Sequence, residues 1–322
     1  MVEALWYNRS ACCRILIMTK PHKRIPKELP TFLFLVALCT ALALTKHSFA
    51  SASNLRTMGT DAAAIGIISV GMTAVIITSG IDLSVAAVLA LSALVGGEMI
   101  ANGHVALGCI AALATGAACG LLNGTLITIG RMPPIIATLG MLYVLQAGAT
   151  LYSNGGQCVI LQHNELAFLG RGFTPLGIAL MVFAAGMFAM KYVRAGRYVY
   201  AIGGNEEAAR LAGIKPGAVK MGIYVLSGLL AALAGLVTMG INSTFQANDV
   251  VGYELAAIAA VVIGGTSIMG GEGTVFGTLI GVGISTVLRN GAILIGLDPK
   301  WTQAVIGAAI LLAVLVDRLR RK

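Results

Sequence analysis

A chain of 322 residues with 57% apolar and 11% charged residues, and a mean hydropathy of +0.89, cannot present a water-facing surface. A soluble enzyme of this length needs far more charge. The net charge of +9 would admit a nucleic-acid partner, but the basic residues are not spread as one would need: seventeen of the 22 Lys and Arg lie before Pro30, within 191–220, at Arg131 and in the last five residues. These are loops of one parity, the positive-inside pattern of a membrane protein without a nucleic-acid role.

Residues 1–30 are polar and basic, and Pro21, Pro26 and Pro30 prevent a continuous helix. They lack the short n-region and small-residue cleavage site of a signal peptide. Met18 opens a compact basic leader, MTKPHKRIPKELP, so translation is expected to start there, with 1–17 an artefact of start choice. Apolar runs then predict ten membrane helices, at 31–50, 58–79, 83–101, 105–127, 134–153, 174–192, 217–241, 252–270, 273–294 and 301–317. The expected fold class is therefore an all-α polytopic membrane protein, with 31–317 a single transmembrane domain in the membrane lipid. An even count places both termini, the 193–216 loop and the basic tail 318–322 in the cytosol. The longest outward loop, 154–173, is a cap and not a domain. Six cysteines, at 12, 13, 39, 109, 119 and 158, have neither zinc nor disulfide spacing and read as packing residues.

Two glycine ladders, Gly116–Gly120–Gly124 and Gly273–Gly277–Gly281, lie 157 residues apart on helices four and nine. Such ladders permit close helix approach. Because the two helices run in opposite directions, the spacing predicts an inverted repeat of helices 2–5 against 7–10.

Three blocks interrupt the apolar runs. In Gly80-Ile81-Asp82-Leu83-Ser84-Val85, Asp82 either caps the third helix or binds a cation or polar solute. Asn123-Gly124 is followed by Arg131-Met132-Pro133-Pro134-Ile135-Ile136-Ala137-Thr138-Leu139-Gly140, where the prolines start a helix and Arg131 anchors its end. The Thr138 hydroxyl can return to an upstream carbonyl, and the Asn123 amide needs a partner from a helix or a passing solute. Gly264 to Thr274 is glycine-rich but has no Lys-Ser/Thr after its last glycine, so it is a tight turn and not a phosphate loop; Glu272 either caps helix nine or meets a partner. Gln146, Tyr143, Asn242, Gln246 and Glu254 are candidates for lining an outward cavity. His22, His47, His104 and His163 are scattered and form no metal set. A paired nucleophile and base is also absent, so no catalytic residue is expected.

Lys191 to Lys220 changes the character of the chain. Gly203 and Gly204 break what precedes, Asn205 is a good N-cap, and Glu206 and Glu207 put negative charge on the positive end of the helix dipole. Ala208, Ala209, Arg210, Leu211 and Ala212 favour helix, Gly213 fits a left-handed cap, and Pro216 stops continuation. This helix of about 15 Å is too short to span a bilayer. Ala208, Leu211 and Ala212 share a small apolar face, suited to docking or to a plain connector.

Ala201, Gly203, Gly204, Asn205, Ala208, Ala209, Gly213 and Ile214 resemble the ATPase-coupling loop of permease subunits of bacterial ABC importers, of the ribose and branched-chain amino acid type. GIDLSV is similar to a signature of the sugar branch, although Ala86-Ala87 stand where a glycine is expected; the Asn123–Gly140 and Gly264–Thr274 blocks also match. The resemblance implies an inner-membrane permease that binds no cofactor, ATP and magnesium being used by a separate cytosolic ATPase that grips 204–213. It also implies a second permease subunit, identical or similar, and a periplasmic or lipid-anchored binding protein delivering a pentose or hexose. Branched-chain amino acids and nucleosides stay open as substrates. On the residues alone, an ion-coupled transporter also stays open.

Overall fold

The computed structural model describes residues 28–161 and 165–296, together with Gly307. The basic leader, the expected tenth helix at 301–317, the tail, and His22 and His163 lie outside the described residues. Twelve α-helices are described: α1 Leu29–Thr45, α2 Ala52–Ile77, α3 Val85–Ala101, α4 Val105–Thr128, α5 Pro134–Tyr152, α6 Ala167–Gly170, α7 Thr174–Tyr192, α8 Arg194–Gly204, α9 Glu206–Leu211, α10 Pro216–Asn242, α11 Tyr253–Ile263 and α12 Val275–Leu294. Six of them (α2, α4, α5, α7, α10 and α12) are long and apolar enough to cross a membrane, and α1, α3 and α11 are shorter apolar helices.

Some boundaries differ from expectation for identifiable reasons. Helix α2 begins six residues early, because Ser51 accepts the Asn54 amide at 3.3 Å as its N-cap. Asp61 therefore lies well within α2. Helix α11 stops at Ile263, where the chain turns through Gly264 and a left-handed Gly265. The stretch 194–204, read as loop before a glycine break, is the helix α8, with Gly203 and Gly204 in its last turn. Its missed signal is the spacing of Gly196, Val199 and Ile202, the buried face of an otherwise polar helix.

Helix α2 is the axis of the bundle. Its most apolar 18 residues are 83% buried, against 28% or less in α4, α5 and α7 at the rim. It packs on α10, α11, α12 and α7, and Thr73 meets Thr278 of α12 at 2.7 Å. Such a hydroxyl pair satisfies two polar groups where no water can. Helix α10 plays the matching part: α10 packs on α4 and α3 as α2 packs on α12 and α11, and α3 pairs with α4 as α11 does with α12. Directions agree as well. Residues 116, 120 and 124 of α4 meet 228, 224 and 221 of α10, and residues 66 and 73 of α2 meet 282 and 278 of α12, so both pairs are antiparallel.

The packing is thus that of an inverted repeat, but the two glycine ladders are not equivalent. The first faces α10, across the halves. In the second, Gly277 and Gly281 face Gly264 and Ala260 of α11, within one half, and Gly273 precedes the helix at φ +147°. The counterpart of Gly277 against Gly264 is Gly108 against Gly96. The 157-residue spacing therefore does not map one half onto the other.

At the end opposite α9, Val159–Ile160 pairs antiparallel with Thr244–Phe245, and α6 packs on α10. These contacts tie residues 159–160 and 167–170 over that end.

Two substitutions on different faces of α10 test the close approach. A Cβ on Gly228 would fall on the Gly116 carbonyl oxygen, whereas one on Gly222 meets nothing within 4 Å. Gly228→Ala should cost about 1–3 kcal/mol of stability. Gly222→Ala should be neutral or stabilising by up to about 1 kcal/mol, since alanine favours helix. Thermal melting of the purified variants in detergent measures both.

Candidate functional site

Three of the residues singled out at the α2–α3 junction and on α4 meet in one buried node. The Asp82 carboxylate, 2% exposed, accepts from the Ser84 amide at 3.0 Å and the Ser84 hydroxyl at 2.7 Å through one oxygen. Its other oxygen accepts from the Ser227 hydroxyl of α10 at 3.0 Å. Asn123 of α4 donates from Nδ2 to Ser84 Oγ at 2.7 Å. The N-cap position of α3 belongs to Ser84, not Asp82, and Ser84 makes no side-chain cap bond; Asp82 holds it in place two residues ahead. Thr138 of α5 donates to the Pro134 carbonyl at 2.9 Å and the Ile81 carbonyl at 3.1 Å, so it also pins the junction.

The node fixes where α3 begins. Asp82 sits opposite Ser227, eleven residues into α10 or roughly 17 Å along its axis. From there α3 runs alongside α10, Leu89 beside Gly235 and Gly97 beside Met239. The 78–84 junction is therefore non-helical backbone inside the bundle, tolerated because protein and not lipid surrounds it.

Beside the start of α3 lies a cavity of about 220 Å³. Ala86 and Ala90 form its α3 wall, Tyr143 and Gln146 its α5 wall, and Val251 and Glu254 its α11 side. The alanines leave this space open. Gln146 thus lies apart from Asp82, Ser84, Asn123 and Thr138, which are occupied in the node. Tyr143 and Glu254 are with it, whereas Asn242 and Gln246 are exposed and do not line the cavity. Glu254 accepts the Gly252 amide at 3.2 Å, which aims the acid at the start of α11.

The other candidate region is the α8–α9 end. The Asn205 side chain accepts the Ala208 amide at 2.9 Å, and Gly213 is left-handed at φ +85°. Helix α9 has only six residues, about 9 Å, because Ala212 and Gly213 turn out of it towards α10. Gly204, Asn205, Glu206, Glu207, Ala208, Leu211, Ala212 and Gly213 are exposed, and Ala209 is buried where α9 packs on α8 and α10. Glu206 pairs with Lys220, and Glu207 with Arg210, each at 2.6 Å.

The glycine-rich stretch 264–274 closes against this element. Gly271 donates its amide to the Ile77 carbonyl at 2.8 Å, and a Cβ on Gly203 would fall on that same oxygen. Tyr200 donates to the Gly273 carbonyl at 2.9 Å. Burial, then the charge of Glu28, pushes this phenol up from its ordinary pKa and keeps it a donor. Thr274 caps α12, its Oγ1 accepting the Gly277 amide at 2.9 Å, so Glu272 is not the cap. No signal in the sequence places Ser227 or Tyr200 in these sites: each is an ordinary polar residue until a distant segment arrives.

Residues 54–314 match the family described as the permease component of the branched-chain amino acid transport system. The chain belongs to this permease family. It is 41% identical to the ribose import permease protein RbsC of Escherichia coli K12, over 94% of this chain and 96% of that protein. It is also 35% identical to the fructose import permease protein FrcC of Rhizobium meliloti, over 92% of this chain and 86% of that one. With the L-arabinose permease protein AraH of Azospirillum brasilense it shares 34% identity, over 89% of this chain and 86% of the relative. No solved structure matches the chain. Membership makes it the permease component of a transport system and a multi-pass inner-membrane protein, with an ATPase and a substrate-binding protein implied as partners.

Asp82→Leu should leave three buried donors without an acceptor and cost about 3–5 kcal/mol. Asp82→Asn keeps one acceptor for Ser84 and can donate to Ser227, so it should cost about 1 kcal/mol. The order of the two melting temperatures in detergent checks the arrangement.

Proposed function

We propose that this permease carries a monosaccharide, a pentose or hexose, across the inner membrane, driven by ATP hydrolysis in a separate subunit. The observation that carries the reading is the cavity beside α3. It gathers an amide from Gln146, an acid from Glu254 and the Tyr143 ring on alanine walls, in a chain similar along nearly its whole length to ribose, fructose and arabinose permeases. Hydroxyl-rich solutes need amide and acid partners, and an aromatic face suits the apolar side of a sugar ring. On the α5 side of the cavity Tyr143 and its neighbour Val144 are exposed. A second permease subunit covers that side and completes the path.

The chain itself performs no chemistry and holds no cofactor; ATP and magnesium belong to the partner ATPase. The basic residues of 191–220 support a cytosolic α8–α9 end, and the positive-inside pattern of the leader and tail supports the same side for both termini. The opposite end receives the sugar from a periplasmic or lipid-anchored binding protein. The ATPase seats on α9, where Asn205 and Gly213 fix the ends, and Ala208, Leu211 and Ala212 present a small apolar face. ATP biases the conformations because it binds one ATPase arrangement better than the other.

ATP-driven uptake in proteoliposomes containing the permease, its ATPase and its binding protein, run against a sugar panel, tests this reading. Uptake of a pentose or hexose is expected; uptake confined to amino acids or nucleosides, or uptake without the ATPase, overturns it. Gln146→Leu should lower uptake by about tenfold while ATPase co-purification persists, a loss equivalent to one hydrogen bond to substrate. Ala208→Glu should do the reverse, removing ATPase association while the permease still inserts and folds.

A further inference from the structure

The loop between α11 and α12 holds a large apolar side chain out in the open. Met269 is 80% exposed, and Ile268 beside it is 38% exposed. Yet the backbone that carries them is fixed at several points. The Met269 amide donates to Ser267 Oγ at 3.2 Å, and its carbonyl accepts from Ser79 Oγ at 2.9 Å. Gly270 and Gly271 take left-handed conformations at φ +86° and +74°, which glycine adopts at little cost. The Gly271 amide is held on the Ile77 carbonyl.

This rigid tip is a direct neighbour of the α8–α9 turn. A Cβ on Gly271 would stand 3.1 Å from the Gly203 carbonyl and from Gly204 Cα and N, and the next residue is Asn205, the cap of α9. Leu211 on α9 is also 80% exposed. The surroundings are aqueous in character: Glu207 and Arg210 are 63% and 66% exposed in their own ion pair. Such charged neighbours mark a water-facing end of the bundle, and exposed apolar residues beside a proposed partner site are what a protein interface collects.

We propose that Met269, with Ile268, is a second seat for the partner ATPase, continuous with the α9 face. This rests on the reading that α9 docks the ATPase. The two seats reach different parts of the bundle. Helix α9 leads directly into α8 and α10, whereas the Met269 loop ends α11, starts α12 and grips the last turn of α2 through Ile77. A partner on both would hold α8, α10, the α11–α12 turn and the end of α2 as one body.

Binding of purified ATPase to the full-length permease in nanodiscs tests this, with wild type, Met269→Glu, Met269→Leu and Ala208→Glu compared. Met269→Glu should weaken binding about tenfold or more, the loss of one substantial interface contact. Met269→Leu should bind as wild type. Neither Met269 substitution should change the melting temperature, because the side chain is largely exposed. Wild-type affinity in Met269→Glu, with Ala208→Glu defective, overturns the second seat and leaves the α9 reading standing. Wild-type affinity in both overturns both. Should Met269→Glu fold poorly, Met269→Cys supplies the test by labelling with a water-soluble maleimide, read at that peptide by mass spectrometry. Protection on adding the ATPase is expected, and unchanged labelling overturns the proposal.

Discussion

A carboxylate buried with no cation against it among the described residues is the constraint to which the rest of this bundle answers. Asp82 is enclosed by apolar helices, so its charge has to be met by hydrogen bonds alone, and three donors supply them. Two of those donors belong to Ser84 and one to α10, and Ser84 in turn receives Asn123 from α4. One acid thereby fixes the end of α2, the start of α3 and the lateral position of α4 and α10. The tight glycine approach of α4 to α10 serves the same arrangement, since Gly120 against the Tyr224 backbone brings Asn123 within reach of the node. A wider α4–α10 spacing would leave the Asn123 amide short of Ser84.

The node also decides where open space falls. Starting α3 partway along α10 leaves its first turns, with Ala86 and Ala90, facing α5 and the start of α11. Both α3 and α11 are short, and both start at the cavity, as the related packing of the two halves requires. Broken helices with their amino ends at a mid-bundle cavity put partial positive charge and free amides near a solute. The α3 end is already neutralised by Asp82. The α11 end carries Glu254, so the amino ends of both short helices hold an acid, one buried in the node and the other lining the cavity.

Much of this was legible in the sequence, and the exceptions share a cause. Long helices, their order, and the capped element at 205–213 follow from apolar runs and local capping chemistry, which act over a few residues. Asp82 and Asn123 stood out because polar groups are costly in an apolar run. Their partners did not, because Ser227 is an ordinary hydroxyl until α10 crosses the junction. The two glycine ladders mark close approach in both cases, but spacing carries no information about which neighbour each glycine meets. Hence the first faces α10 and the second faces α11, and the repeat inferred from their separation has the right partners with the wrong register. Helix α8 was hidden because its glycines read as breaks, whereas Gly203 is there so that backbone can press on backbone at Ile77.

That contact joins the two regions. The Ile77 carbonyl, at the last turn of α2, accepts the Gly271 amide and lies under Gly203, while five residues later the chain reaches Asp82. Side chains would soften such a junction, since a rotamer can absorb a shift of an ångström, but a glycine backbone packed on a carbonyl has nothing to rotate. A displacement of α8 or of the Met269 loop is therefore passed to the end of α2 and, through Gly80 and Asp82, to the start of α3. The cavity wall at Ala86 and Ala90 belongs to that same helix. The route from the proposed docking end to the cavity is thus short and almost entirely backbone.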